Sequence, residues 1–314
     1  MPMSRHNPHH VLFRMALALA APIAAMAPAQ AQALPEKPAN SVVPSPALTY
    51  ADLADLATSS TVIATAQVMK VARLKPEQAP GVAPGHARLY IEARTVAVLS
   101  GRGLDGGGQE GSGLDGGGLR ESLRYLADVA LDARGRPPAL NKKTQVILFA
   151  RTVPGSPGEL RLVAPDAQVT WTAELDQRVR GLLTELVAPD AAPRVTGVRE
   201  AIHVPGNLGG EGETQVSLAT RAGEPVSLTI VRRPGDSPVW GVSFSEIVDQ
   251  AARPPARDTL AWYRLACFLP ATLRADAMIG ANDSDRAIAA EDYALVIRDL
   301  GPCPRSRLPF AGGR

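Results

Sequence analysis

Alternation of apolar and polar positions dominates the first half of the chain. In the run that starts at Arg88, Leu89, Ile91 and Ala93 alternate with residues that point the other way, as in a strand with one buried face. Comparable runs at 61–74, 121–135 and 144–164 are separated by turns rich in Gly and Pro. Four to six strands without long helices between them predict an antiparallel β-barrel or sandwich over residues 49–168, and their number and length favour an OB-like barrel.

The second half changes to a helical period and then returns to strands. Leu175, Val179, Leu182 and Leu186 lie on one face of a helix predicted over 172–188. Four short β-type runs follow within 195–248, separated by turns that contain Gly and Pro.

Two further helices are predicted at 258–269 and 285–300, the first with Asp258 as its N-cap and the second ending at Gly301. Together with the preceding helix and strands they predict an α+β domain over 169–304, followed by a disordered tail at 305–314. The chain as a whole is predicted to be α+β and mostly β.

The only two cysteines, Cys267 and Cys303, stand at the ends of these last two helices. A bond between them would close a loop of about 36 residues and restrict the unfolded chain by about 4 kcal/mol in the entropic model. The alternative is a pair of free buried thiols. We expect the bond, because the N-terminus indicates an oxidising compartment.

Residues 1–33 have the tripartite pattern of a secretory signal peptide. A basic start precedes an apolar core that is too short to span a bilayer, and small residues predict cleavage after Ala31 or Ala33. A Pro-rich linker follows at 34–48. These features predict a periplasmic or secreted protein, with no transmembrane span once the signal is removed.

Charge excludes one class of partner. The chain has 33 Lys and Arg against 31 Asp and Glu, and removal of residues 1–33 takes away two arginines and no acid, which leaves the mature chain neutral. Nucleic-acid-binding proteins usually carry a basic excess or stripe. We therefore expect no nucleic acid, and a partner that is an unidentified periplasmic protein or small ligand.

Two ten-residue copies, 101–110 and 111–120, are identical at seven positions and form a Gly-rich loop, predicted over 101–118. Each copy contains G-x-G-x-D, a fragment of the calcium-binding β-helix repeats, but such repeats need at least three stacked neighbours. The favoured interpretation is a duplicated flexible loop that is disordered and dispensable.

Candidate chemistry is sparse. His86 and His203 are the only histidines outside the signal; His203 has Glu200 close by, and His86 lies in a turn. A structural hydrogen bond is favoured over catalysis for His203, and an exposed loop position for His86. We expect no metal site and no cofactor, because neither histidine has a second ligand nearby and no phosphate-loop or dinucleotide motif occurs.

Acidic pairs are present, but nothing in the sequence marks one of them as a catalytic pair. Asp52 with Asp55, and Glu291 with Asp292, are interpreted as solvated helix faces. The sequence thus favours a non-catalytic binding or interaction module. The alternative is a periplasmic hydrolase that uses carboxylates or His203 at the interface between the two domains.

Four segments carry a resemblance: GVAPGHARLYIEA, VTGVREAIHVPGNLGGEGETQ, ARDTLAWYRLACFLP and AAEDYALVIRDLGPC. They resemble exported proteins of alphaproteobacteria that have no assigned activity, over about residues 50–303. The resemblance implies export and no particular chemistry. The strand text of the first domain is also similar to small secreted barrels of the netrin-module kind.

Overall fold

The computed structural model describes residues 47–101, 121–245, 252–280 and 282–307. The predicted signal peptide, most of the linker, the Gly-rich loop from residue 102 onwards and residues 308–314 lie outside the described residues. The chain divides into two compact units, Met1–Ser45 and Pro46–Arg314, and every described residue belongs to the second.

The fold is α+β, with most strands in antiparallel sheets. Its helices are α1 (Tyr50–Ser59), α2 (Ala173–Val187), α3 (Leu260–Ala266) and α4 (Asp283–Leu300). Its strands are β1 (Val62–Arg73), β2 (His86–Ser100), β3 (Ser122–Ala130), β4 (Gln145–Thr152), β5 (Leu160–Leu162), β6 (Gln168–Thr170), β7 (Val195–Pro205), β8 (Gly212–Thr220), β9 (Ser227–Arg232) and β10 (Val239–Ser243).

The first sheet has the order β3-β2-β1-β4-β5, with β6 also paired to β4. The pairing of the described strands does not close it into a barrel, the form that the sequence analysis favoured over a sandwich. β3 meets the chain around β5 at a single parallel bridge, Arg124 with Glu159. Two backbone bonds lie on either side of β5, from Arg124 N–H to Gly158 O at 2.8 Å and from Asp128 N–H to Pro165 O at 2.8 Å, and among the described strands no ladder pairs β3 with β5 between them.

The second sheet has the order β10-β9-β8-β7, and α4 covers one of its faces. Tyr293 and Val296 are buried on that side of the helix. Trp240 of β10 donates its indole N–H to Asp299 at 3.0 Å, which ties the outer strand to the end of the same helix.

One apolar core joins both sheets. Phe149 of the first sheet, Leu228 of the second, Leu182 of α2 and Tyr263 of α3 all belong to it and are almost inaccessible to solvent. The two predicted domains, 49–168 and 169–304, therefore share their core, and the boundary at 168 falls inside β6.

Helix ends follow side-chain capping. Thr172 caps α2 through the Leu175 N–H, and Asn282 caps α4 through the Asp285 N–H, so α4 begins two residues before the predicted start. Gly301, with φ of 66°, ends α4 as expected. The N-cap of α3 is Thr259, not Asp258, because Asp258 has φ of 59° and cannot take the extended cap conformation.

The disulfide between Cys267 and Cys303 is confirmed, with Cα atoms 5.2 Å apart. The chain beyond it crosses α1. Arg305 pairs with Asp55 at 2.6 Å, and Ser306 donates its N–H and its hydroxyl to Asp52 at 3.0 and 2.6 Å. The first three residues of the predicted tail are thus bound to the first helix.

No helix in the described ranges has the length and apolar character needed to cross a membrane.

Candidate functional site

His203 lies at the centre of a buried polar group that we call the His203 network: His203, Thr214, Arg232 and Asp292. The register of β7 and β8 sets His203 opposite Thr214, and His203 Nδ1 lies 2.9 Å from the Thr214 hydroxyl. Thr214 donates that hydroxyl to Asp292 Oδ2 of α4 at 2.5 Å. His203 and Asp292 expose only 4% and 1% of their surface, and Thr214 none.

Arg232 of β9 neutralises the buried carboxylate. Its Nε and Nη2 lie 2.8 and 2.7 Å from Asp292 Oδ1, and the same guanidinium reaches Glu291 at 3.3 Å. The hydrogen bond to Asp292 raises the pKa of Arg232 above its ordinary value. The interpretation of Asp292 as part of a solvated helix face is therefore wrong: it neighbours Tyr293 on the face that packs against the sheet, and its charge is paired there.

The order of the groups determines what the network can do. Asp292, paired with Arg232, can only accept, so the Thr214 hydroxyl proton points to Asp292. Nδ1–H of His203 must then donate to Thr214 Oγ1. In a nucleophilic triad the histidine stands between the hydroxyl and the acid and takes the hydroxyl proton. Here threonine occupies the middle position, so the network is arranged to hold α4 on the sheet and not to activate a nucleophile.

The other two predicted candidates do not join His203. Strand alternation puts Glu200 on the opposite face of β7, where Ser217 lies at the 3.5 Å limit of a hydrogen bond to it. His86 opens β2 in the first sheet, is exposed, and contacts the Pro84 carbonyl through Nδ1 at 3.1 Å. The sequence identified His203 but not its partners, because Asp292 is 78 residues from Thr214 and meets it only in the folded chain.

A second region is open to solvent. We call it the β3–β5 groove, a depression of about 530 Å³ between the outward face of β2 and β3 and the chain around β5. Its principal side chains are Arg88, Tyr90, Arg124, Leu126, Asp128 and Arg161.

One end of the groove is a fixed ion pair. Arg88 holds Asp128 by two hydrogen bonds, from Nε at 2.7 Å and from Nη2 at 2.8 Å. This bidentate geometry engages both carboxylate oxygens and holds the side chains rigidly. The bond to Asp128 raises the pKa of Arg88.

The other end carries looser charge. Arg124 and Glu159 are 3.7 Å apart and about half exposed. Arg161 lies directly opposite Arg151 in the β4–β5 register, both are exposed, and among the described residues no carboxylate lies within ion-pair distance of Arg161. This end of the groove therefore has an excess of positive charge.

The floor of the groove is the opening in the sheet. Leu126 lies between the two bonds that Arg124 and Asp128 donate to Gly158 and Pro165. Below it, Tyr125 donates its hydroxyl to Gln168 at 2.5 Å, and burial raises the pKa of the phenol, so that it stays neutral.

The sequence pointed to this groove only in part. The alternation of 88–93 correctly puts Arg88 and Tyr90 on the face opposite Leu89 and Ile91. The opening itself depends on where β5 leaves β3, and no local pattern in 158–165 signals that departure.

A further depression, of about 620 Å³, lies beside the loop between β7 and β8. Most of its charged groups already have partners: Glu211 accepts the N–H groups of Asn207 and Leu208, and Arg232 belongs to the His203 network. Across the described part of the chain, no three His, Cys, Asp or Glu side chains converge as metal ligands would.

Comparison with known proteins adds no assignment to this geometry. No family model matches the chain, and no curated protein matches it significantly.

Proposed function

We propose that this protein is a non-catalytic binding module that takes its ligand in the β3–β5 groove. The observation that carries the proposal is the groove's combination of an interrupted strand pairing, exposed apolar side chains and unpaired positive charge. Leu126 exposes 45% of its surface there, and Tyr90 lies opposite it in the strand register. Exposed apolar surface beside convergent polar groups is typical of a binding site.

Hydrolysis is less well supported. At His203 it would require a reactive group that meets substrate, but His203 and Thr214 are buried and their bonding order suits packing. In the groove, Asp128 has both oxygens engaged by Arg88, whereas a two-carboxylate hydrolase needs one acid that is free to deliver a proton. No arrangement in the described residues favours the catalytic alternative over binding.

The first sheet supports a proposal about fold. The order β3-β2-β1-β4-β5 and the parallel bridge between β3 and the residue before β5 are features of an OB-like barrel, here opened beside Leu126. If the barrel is open, the Leu126 amide should exchange hydrogen faster than the paired amide of Tyr125. Equal protection of both would argue for a closed barrel.

We also propose export to the periplasm or the exterior, as the resemblance to exported alphaproteobacterial proteins implies. The N-terminal pattern supports it, and the disulfide is compatible with an oxidising compartment. Mass spectrometry of the protein from its native host should find a chain that starts at Gln32 or Leu34. An intact Met1 would contradict cleavage.

The binding proposal is tested by capture with matched variants. Immobilised wild-type protein, Leu126→Asp and Val204→Asp are exposed to a periplasmic extract, and bound proteins and small molecules are identified by mass spectrometry. Leu126 and Val204 are exposed to a similar degree, 45% and 56%, but only Leu126 lines the groove.

We expect ligands that are retained by the wild type and by Val204→Asp but lost from Leu126→Asp. Retention of the ligands by all three proteins would mean that they bind outside the groove. Turnover of an ester, peptide or glycoside substrate that disappears in His203→Gln would favour the hydrolase.

A further inference from the structure

We infer that the β3–β5 groove binds an extended peptide segment with carboxylate side chains, which pairs through its backbone with Leu126. The inference rests on the proposed function, because it names the ligand class of the same site. It combines the gap in the pairing of β3 beside Leu126, the charge at one end of the groove and the apolar pair beside that gap.

The backbone argument starts from strand alternation. Amides two residues apart on a strand point to the same side, and the amides of Arg124 and Asp128 both point away from β2, towards Gly158 and Pro165. The N–H and C=O of Leu126 therefore also point into the groove. Among the described residues the bridge at Arg124 and Glu159 does not continue to Leu126, so its N–H and C=O are not both paired with β5.

The chain on the opposite side of the groove explains why the backbone pairing is interrupted at Leu126. The chain advances four residues from Arg124 to Asp128 but seven from Gly158 to Pro165, so the two chains do not keep one pairing register beside Leu126. A backbone donor and acceptor on one exposed strand residue match the repeating unit of an extended chain, as in strand addition to a sheet edge. A compact small molecule would not need this repeat.

Charge selects the kind of peptide. Arg161 lies opposite Arg151 across β4 and β5, where like charges are unfavourable, and Arg151 donates its Nε to the Ser59 carbonyl at 2.9 Å, which leaves Arg161 as the cation that lines the groove. Arg124 is bound only loosely by Glu159, at 3.7 Å, and can exchange it for another carboxylate. Arginine forks suit carboxylates, so acidic side chains complement this end of the groove.

Apolar contacts with the groove determine how the side chains of the bound peptide should be spaced. Tyr90 and Leu126 are cross-strand neighbours on the outward face, and they flank the opening. Alternate residues of an extended chain point to opposite sides, so a segment that alternates acidic and apolar side chains could satisfy both the arginines and this pair.

The test uses a blocked, fluorescently labelled hexapeptide that alternates glutamate with valine. Two control peptides carry lysine in place of glutamate, or N-methyl groups on alternate amides. Binding to the whole protein is measured by fluorescence anisotropy at low and at physiological salt, and hydrogen exchange at the Leu126 amide is measured with and without peptide.

We expect the acidic peptide to bind at least about tenfold more tightly than either control, a difference that corresponds to about 1.4 kcal/mol. The Leu126 amide should exchange more slowly in the complex. Arg161→Glu should weaken binding about tenfold, whereas Arg233→Glu, an exposed change on the second sheet, should leave it unchanged.

Equal affinity for the acidic, basic and N-methylated peptides would overturn the inference, as would unchanged exchange at Leu126. If no peptide binds but Leu126→Asp still loses a ligand captured by the wild type, the peptide inference fails and the binding function stands. If Leu126→Asp loses nothing in either experiment, both fail.

Discussion

At the scale of single residues, Asp292 is the charge on which the packing of α4 depends. Asp292→Asn keeps the size of the side chain but leaves the Arg232 guanidinium without its buried counter-ion. Removal of one partner from a buried pair costs about 3 to 5 kcal/mol. Since Arg232 is partly exposed, we expect a loss below that range, about 2 to 3 kcal/mol, in urea unfolding.

Glu291→Gln is the control for Asp292. Glu291 contacts the same guanidinium, but 70% of its side chain is exposed, so its loss should change the free energy of unfolding by less than about 0.5 kcal/mol. Equal effects of the two substitutions would mean that Asp292 is not the buried charge described above.

The contribution of Asp52 to the free energy of unfolding should depend on pH. Burial opposes its ionisation, but hydrogen bonds from Ser306 and Thr49 outweigh burial and lower the pKa of Asp52 below its ordinary 3.8. A lowered folded-state pKa adds stability above 3.8 that is lost as pH falls through the folded value. The difference in unfolding free energy between wild type and Asp52→Asn should therefore shrink below about pH 4.

The control for this titration is an exposed acid away from α1. Glu77→Gln removes an exposed carboxylate of the same charge that has no partner among the described residues, and it is compared with wild type over the same pH range. A constant difference for Asp52→Asn would show that its bonds to Ser306 do not stabilise the folded state.

Residues also mark the limit of sequence interpretation. His203 could be selected because histidines are rare. A structural hydrogen bond was favoured for it, but its partners could not be predicted, because Thr214, Arg232 and Asp292 belong to three other elements. The same holds for Asp52, whose partners at Ser306 and Arg307 are more than 250 residues away.

At the scale of elements, alanine in place of glycine should have opposite effects on stability at two positions. A methyl group on Gly241 of β10 would collide with the backbone carbonyl of Ala252, which cannot move as a flexible side chain would. Gly241→Ala should therefore destabilise the protein by about 1 to 3 kcal/mol. Thermal unfolding of the variant is the measurement.

Gly181, on the exposed side of α2, has nothing within 4 Å of the position that a methyl group would take. Gly181→Ala should raise stability by about 0.5 to 1 kcal/mol, because alanine favours a helix interior more than glycine does. The pair thus tests whether the chain after residue 251 lies against β10. No loss from Gly241→Ala would contradict that contact, and a loss from Gly181→Ala would contradict the open space found beside Gly181.

Elements were predictable where the signal is local. The apolar period of α2 and the Gly301-Pro302 stop of α4 gave correct helices, and most strands were recognised by alternation. β6 was missed because three residues carry no period. The start of α3 was misassigned because Asp258 has a positive φ, which no local pattern signals, and the opening between β3 and β5 is a tertiary feature.

At the scale of the whole molecule, the shared core changes what the disulfide should do. The bond closes a 36-residue loop, and its loss should cost about 4 kcal/mol in the entropic model. Sequence interpretation confined this cost to a second domain. Because one core joins both sheets, we now expect reduction to destabilise them together.

Calorimetry and hydrogen exchange of the reduced protein measure this. A single transition at lower temperature, with faster exchange in β1 as well as in β8, is the expected result. Two separated transitions, with hydrogen exchange in β1 unchanged, would show that the two predicted domains unfold independently. Cys267→Ser with Cys303→Ser should reproduce the effect of reduction.

The contact between Arg305 and α1 also has a consequence for biosynthesis. Asp55 leaves the ribosome 250 residues before its partner Arg305. At a synthesis rate of about 5 to 20 residues per second, Arg305 is added roughly 12 to 50 seconds after Asp55. The first helix therefore cannot complete its contacts during translation of the earlier chain, and a nascent chain that stops before Cys303 lacks both the disulfide and the residues that bind Asp52 and Asp55.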